Sequence, residues 1–332
     1  MHSPISPFDA EALRRDALSC AFATGGPKVY LGGLNCISRR LNRSKYPLLT
    51  FVNPEEEQYM RARLPTNAHP HSRVLSWVHF PAVATTATGL RGGQVLDKLN
   101  VFGLPVKRIV WVDADMLIKH DIDELCELPD DIKFASSLNN ANGRPTYCFS
   151  NDARHHRDAC HLPEMAHCIG AYNVSMDSGD YTFLRVAEMR PPAFQCPFII
   201  QSGIMVLSPL GEAAFNEQLV RPIVAGAVHS YDGTDQGLIS TLIYGSQRLF
   251  GEDGFARLHP KFNVIFRNAR HTEMNWCKPK VNATGLDCLT TMIWHFTGLT
   301  PGGRPWLQRY DNKTPPQTYH RLCPYYSDSF DY

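Results

Sequence analysis

No stretch of this chain approaches 18 uninterrupted apolar residues, and its first residues, Met1-His-Ser-Pro-Ile-Ser-Pro-Phe8, have no apolar core of the kind a secretory signal carries. A membrane-spanning helix is therefore not expected. The expected location is cytoplasmic, with the Golgi lumen as the alternative if a leader is missing. Surplus charge is lacking too: 33 Lys and Arg against 32 Asp and Glu give a formal net charge of +1, which offers no electrostatic reason for a nucleic-acid or anionic-membrane partner. There is no internal repeat. The ten cysteines show no paired framework, so most read as buried or idle thiols of a reducing compartment. Asn42, Asn173, Asn282 and Asn312 each open an Asn-x-Ser/Thr sequon, which matters only in a secretory lumen.

What is present suits a folded enzyme. With 332 residues, 43% hydrophobic and 20% charged, the chain can bury a full α/β core. Ser19–Thr24 reads as a strand, and Gly25-Gly26-Pro27 then opens a helix with Tyr30, Leu34, Ile37 and Leu41 on one face. Leu48–Val52 is a second strand, followed by a helix start at Asn53-Pro54-Glu55-Glu56 with Asn53 as its cap. Arg73–Phe80 is a third strand, and Val95, Leu96, Leu99 and Phe102 mark another helix face. This alternation predicts a doubly wound sheet. From Asn139 to Gln195 the pattern turns polar; order returns in the strand Phe198–Leu207, which Gly203 interrupts, and in helices around Phe215–Val224 and up to Tyr244. A last apolar stretch is Met292-Ile-Trp-His-Phe-Thr-Gly298.

The most informative segment is Asp113-Ala114-Asp115. It follows directly on Arg108-Ile-Val-Trp-Val112, a run rich in β-branched and aromatic residues that reads as a central parallel strand. Ligands of open α/β sheets collect at the carboxyl ends of such strands. In the turn just beyond a strand, two acids one residue apart can converge on a single divalent cation and leave positions open for phosphate.

Ordered blocks then build a resemblance: Ala23-Thr24, Lys98-Leu99, Asp113-Ala114-Asp115, Ser202-Gly203, Asp232-Gly233-Thr234-Asp235-Gln236-Gly237 and His295-Phe-Thr-Gly298. Together they resemble the family 8 glycosyltransferases, the glycogenin and galactinol synthase group, from about Cys20 to Trp306. The resemblance implies a GT-A fold, a Rossmann-like doubly wound mixed sheet with helices on both faces, and a retaining hexosyltransferase that uses a UDP-sugar and Mn²⁺. UDP-glucose or UDP-galactose is the implied donor, and a hydroxyl on a small molecule or glycan the acceptor. It further implies a domain over residues 19–308 between an N-terminal extension, 1–18, and a tail, 309–332, with an acceptor-side insertion at 139–195. A homodimer is among the allowed assemblies.

Residue by residue, the resemblance implies that Asp113, Asp115 and His295 ligate the metal and that Lys98 reaches the donor. Ala23, Thr24 and Tyr30 are implied at the base and ribose, with Ala114 between the acids. Gln201, Ser202, Gly203, Asp232, Asp235 and Gln236 fall around the donor sugar, Asp235 on its hydroxyls and Gln236 near the anomeric carbon. Gly298 and Arg304 belong to the diphosphate. Two departures stand out: Gln201 replaces an Asn, and five residues separate Gly298 from Arg304, where the family carries a nearby Lys. Arg keeps a bidentate phosphate contact.

Self-glucosylation of the glycogenin kind is excluded at its usual place, because no Tyr lies between Val264 and Trp294. Tyr310, Tyr319, Tyr325, Tyr326 and Tyr332 lie in the tail. Two other readings compete: a catalytically silent nucleotide-sugar-binding protein, and a nucleotidyltransferase, which needs a Gly-rich basic loop that Ala23-Thr-Gly-Gly-Pro27 does not supply. The His and Cys residues between Cys148 and Cys168 fit no standard zinc spacing and read as part of the insertion.

Overall fold

The structure, a computed structural model, describes residues 1–81, 93–138, 181–185, 200–228, 230, 234–244, 249–251, 253–265 and 292–295. The four strands expected first form the parallel half of the main sheet: β1 (Ala21–Gly25), β2 (Leu48–Val52), β3 (Arg73–Ser76) and β4 (Ile109–Val112). After β5 (Met116–Ile118) come β6 (Phe134–Leu138), β7 (Phe183–Arg185), β8 (Ile200–Leu207) and β9 (Phe255–Leu258), which complete eight strands in the order β3-β2-β1-β4-β8-β6-β9-β7. β8 runs antiparallel to both neighbours, and β7 closes the edge antiparallel to β9. A second sheet sets β5 beside β11 (Ile293–His295) and β10 (Val264–Ile265). This is the doubly wound mixed sheet expected. β7 comes from the segment whose sequence pattern had turned polar.

The central strands are apolar at nearly every position because both faces are covered. Ala21, Ala23, Ile109, Trp111, Met205 and Leu207 bury into one core cluster, while Phe22, Val110, Val112, Ile204 and Val206 bury into the other. Over the second face lies α2 (Leu31–Arg40), through Ile37 and the adjoining Leu41. The first face receives Phe215, Leu219 and Ile223 from the helical run between Glu212 and Val224, and Leu238, Ile239 and Leu242 from the helix Asp235–Tyr244. The first 18 residues join the same core: α1 (Pro7–Asp16) is capped by Ser6, whose Oγ accepts from the Asp9 N–H at 3.1 Å. It buries Ala10 and Leu13, and Ile5 forms a bridge to Trp77.

Two local expectations change. Asn53 makes no capping bond, and its segment is a 3₁₀ turn, Pro54–Glu56, leading into α3 (Glu57–Arg61). The helix expected around Val95–Phe102 is a 3₁₀ helix over Gly93–Gly103.

The cysteine reading is corrected more substantially. Cys20, just before β1, and Cys126, in the 3₁₀ turn Asp123–Glu127, form a disulfide across 106 residues, with Cα atoms 5.7 Å apart. Cys36 on α2 is disulfide-bonded as well, so no described cysteine is a free thiol. Spacing could not reveal the Cys20–Cys126 pair, because folding alone brings its halves together. Arg108 fixes the same turn from inside: its buried guanidinium donates to the carbonyls of Cys126, Leu128 and Pro129.

Candidate active site

β1 lies between β2 and β4, so the order of connection reverses between β1 and β4. In open α/β sheets such a point is where a ligand crevice forms, outside the carboxyl ends of the strands. Asp113 is the first residue beyond β4. Its N–H donates to the Gly203 carbonyl at 2.8 Å and its carbonyl accepts from the Met116 N–H at 3.1 Å, so the acidic turn is tied at both ends. Next to it, β8 carries a bulge. Ser136 of β6 faces Met205 but Ser137 faces Gln201, so residues 202–204 have no counterparts on β6. Such an irregularity re-aims side chains, and here it affects Ser202 and Gly203.

The ligand atoms of Asp113, Asp115 and His295 all lie within 4.8 Å of one another. His295 arrives on β11, paired opposite Met116 of β5, and its Nε2 stands 3.3 Å from Asp115 Oδ1. Behind it, Nδ1 meets Asn263 Oδ1 at 3.0 Å, and the Asn263 amide donates to Ser137 Oγ at 2.8 Å. With Nδ1 turned to Asn263, Nε2 is the nitrogen that faces Asp115 and would be offered to a metal. Two carboxylates and one imidazole suit Mn²⁺ or a similar borderline ion, so the residues fit the metal the resemblance implies.

Lys98, at 11% side-chain exposure, is enclosed rather than solvated. Its Nζ lies 2.7 Å from Asp113 Oδ1, 2.9 Å from Asp235 Oδ2 and 3.3 Å from Ser202 Oγ. Burial alone would lower its proton affinity, but Asp113 and Asp235 outweigh that and hold it above the ordinary lysine value. Asp113 is shifted upward, chiefly by burial and further by Asp115 and Asp235, against the opposing pull of Lys98 and His295. Trp111 Nε1 also donates to Asp113 Oδ1, at 2.6 Å. With that oxygen taken by the indole and the ammonium, Oδ2 is the one left for an ion. Ser202 Oγ donates to Asp235 Oδ2 at 2.8 Å, at the start of the helix Asp235–Tyr244, and half-buried Gln236 follows one residue on.

Gln201 turns inward. Its Oε1 accepts from the Gly203 N–H at 2.6 Å and the residue is 5% exposed, so that oxygen is spent on its own strand. Gly203 has no room for more: a Cβ there would stand 2.5 Å from both His295 Cε1 and Met116 Cε. Ala23 and Thr24 are fully buried in β1, and Thr24 does not present its hydroxyl to the crevice. Half-buried Tyr30 lies against Gly26 at the head of α2. Asp232, Gly298, Arg304 and the His/Cys cluster from Cys148 to Cys168 lie outside the described residues.

Sequence reasoning missed four residues here. Asn263 and Ser137 orient the imidazole, and Trp111 orients Asp113. Gly33 on α2 lets the helix touch the acidic turn, because a Cβ there would fall 1.8 Å from the Ala114 carbonyl oxygen. Only Asn263 and Trp111 carried a signal: each is a polar group inside an apolar segment, and such a group needs a partner.

No family model matches the sequence, and no curated protein matches it. Among solved structures, the galactosyltransferase LgtC in complex with donor and acceptor sugar analogs aligns at a TM-score of 0.46 and 11% identity, over 92% of this chain and 95% of that one. The glycosyltransferase GlyE of Streptococcus pneumoniae TIGR4 aligns at 0.47 and 10%, over 92% of this chain and 60% of that one.

Proposed function

We propose that the protein is a metal-dependent, retaining glycosyltransferase of the family 8 kind, moving a hexose from a UDP-sugar to a hydroxyl acceptor. The observation that carries the reading is the convergence of Asp113, Asp115 and His295 beside the buried Lys98–Asp235 pair, at the switch point of the sheet. Asp113, Asp115 and His295 would hold the divalent cation, whose chemistry is to offset charge growing on the departing diphosphate. Mn²⁺ is the ion proposed.

The remaining work falls to the chain's own side chains. Lys98 keeps an ammonium between the metal ligand Asp113 and the sugar-side Asp235. It thereby fixes their spacing and meets negative charge on the donor. Asp235 has Oδ2 bound by Lys98 and Ser202, which leaves Oδ1 for a sugar hydroxyl and for electrostatic support of an oxocarbenium-like transition state. Retention is proposed by front-face displacement, in which the leaving phosphate oxygen takes the acceptor's proton and no protein base is needed. Gln236 is assigned a place near the anomeric carbon, Tyr30 and the backbone at Ala23 and Thr24 the nucleoside end, and Asp232, Gly298 and Arg304 the sugar and diphosphate.

One observation favours a second reading, a silent nucleotide-sugar binder: the Gln201 amide is folded onto its own backbone instead of reaching toward a donor. Release of UDP from a panel of UDP-sugars with Mn²⁺, for the native chain and Asp115→Ala, tests both. Release that requires metal and Asp115 supports transfer and names the donor. UDP binding without release from any sugar, with or without added acceptors, rejects transfer in favour of the binder. No helix among the described residues is long and apolar enough to cross a membrane. Of the two expected locations, the disulfides favour the lumen.

A further inference from the structure

Every described cysteine is disulfide-bonded, and the Cys20–Cys126 bridge is buried, at 2% and 7% exposure. Bridges of this kind form and persist in oxidising compartments and are rare where glutathione keeps thiols reduced. Where that compartment is a eukaryotic secretory lumen, the folding chain also presents its sequons to N-glycosylation.

One sequon, Asn42-Arg43-Ser44, lies among the described residues. It occupies the 3₁₀ turn Leu41–Arg43 and the extended Ser44 that ends it. Asn42 and Arg43 are exposed. The Asn42 Oδ1 accepts from the Ala68 N–H at 2.6 Å, which orients the amide plane. Nδ2, on the other branch of the planar amide, has no hydrogen-bond partner among the described residues. The turn is itself anchored, since Ser44 Oγ donates to Asp123 Oδ1 at 2.6 Å and the Lys45 N–H to Asp123 Oδ2 at 3.1 Å. A substituent on Nδ2 would leave all three of these bonds in place.

Position also permits it. α2 starts at the carboxyl end of β1, next to the candidate site, and returns the chain to the amino end of β2 at Leu48. Asn42, just past the end of α2, is therefore near the amino ends of the strands, at the opposite end of the sheet from Asp113, where a bulky glycan would stand clear of the candidate site.

We propose that Asn42 carries an N-linked glycan and that the protein acquires its disulfides in the same oxidising secretory lumen. The co-substrate is a polyprenyl-diphosphate-linked oligosaccharide. A bond forms between Nδ2 and its anomeric carbon, the bond from that carbon to the diphosphate oxygen breaks, the diphosphate leaves with the electron pair, and the amide proton passes to a base of the transferring enzyme.

The test uses protein isolated from its own cells under thiol-blocking conditions, then treated with peptide N-glycosidase in heavy-oxygen water and mapped by mass spectrometry. The expected result is conversion of Asn42 to a heavy-oxygen-labelled Asp, with Cys20 and Cys126 alkylated only after reduction. Unmodified Asn42 in most molecules, or alkylation of either cysteine before reduction, overturns the proposal. Directed to a eukaryotic secretory lumen, Asn42→Gln and Ser44→Ala should each migrate one glycan lighter than the parent, and Ser44→Ala keeps the Asn42–Ala68 contact. Migration of both variants with the parent counts against the site.

Discussion

Replacing Gly33 by alanine tests the geometry of the candidate metal centre at a residue that touches no proposed ligand side chain. The added Cβ would fall 1.8 Å from the Ala114 carbonyl oxygen and 3.0 Å from its carbon, where an ordinary contact begins near 3.4 Å. A separation of roughly 1.6 Å must be found, about the scale at which misplacement costs 10²-fold in rate. Both obstructing atoms are backbone, so no side chain can rotate away. If the turn yields, Asp113 and Asp115 move with Ala114, against the Asp113–Gly203 and Met116–Asp113 bonds that tie the turn. If α2 yields, Leu34 and Ile37, both fully buried, lose their packing.

Overpacking of this type costs about 1–3 kcal/mol. Gly33→Ala should lower stability by that amount, weaken Mn²⁺ binding by at least about tenfold and reduce sugar transfer by on the order of 10²-fold. Electron paramagnetic resonance titration of Mn²⁺ gives the affinity without turnover, and chemical denaturation gives the stability. A variant that is less stable yet binds Mn²⁺ as tightly as the parent would show that the turn is not positioned by α2.

Four further outcomes are expected. Asn263→Leu, which removes the acceptor for His295 Nδ1–H, should weaken Mn²⁺ binding by about 10–100-fold while Asn263→Asp largely preserves it; equal affinities in both would deny the relay. Lys98→Met leaves Asp113 and Asp235 facing one another and should destabilise the metal-free protein by roughly 3–5 kcal/mol, with part recovered on adding Mn²⁺; a melting curve unmoved by the substitution would contradict the ion pairing. Cys20→Ser should cost about 2–5 kcal/mol in urea unfolding, given the long loop the bridge closes, and an unchanged midpoint would remove the disulfide from the stability account. The hydrogen bond that His79 Nδ1–H donates to Asp97, opposed by burial and helped by Glu55, raises the proton affinity of His79. Its stabilising contribution is thus full below the unfolded value near 6.5 and is lost as pH rises through the raised folded value. Because His79 is half exposed, His79→Gln should narrow stability only modestly at about pH 5.5 and less at about pH 8, and a loss that does not shrink with pH would discount the pairing.

Legibility from sequence followed the range of the interactions. The strand Leu48–Val52 and the apolar face of α2 were readable because periodicity is local, and Asp113 and Asp115 because they directly follow a buried strand. The 3₁₀ geometry of Gly93–Gly103 was hidden, since its apolar residues suit either helix. The bulge at residues 202–204 left a trace only in Gly203, and its purpose needed β6 alongside. Ser137 and Asn263 stand 126 residues apart, and Cys20 and Cys126 106 apart, so no spacing rule joins them. Gly33 looked like an ordinary helix glycine until the Ala114 carbonyl came against it.

Charge gives the site its own argument for a divalent ion. Asp113, Asp115 and Asp235 bring three formal negative charges to a space where Lys98 is the paired cation, which leaves −2 when His295 is neutral. Burial is the main cause that shifts Asp113 upward, and the neighbouring carboxylates add to it against Lys98 at 2.7 Å. A single divalent cation would offset this charge, and the contact of His295 Nδ1 with Asn263 leaves Nε2 turned toward Asp115, where such an ion would be held. A diphosphate bound with that cation, as in the proposed function, would add negative charge in turn. On the proposed reading Lys98 would meet it, because its contacts with Asp235 and Ser202 hold the ammonium beside the acidic turn.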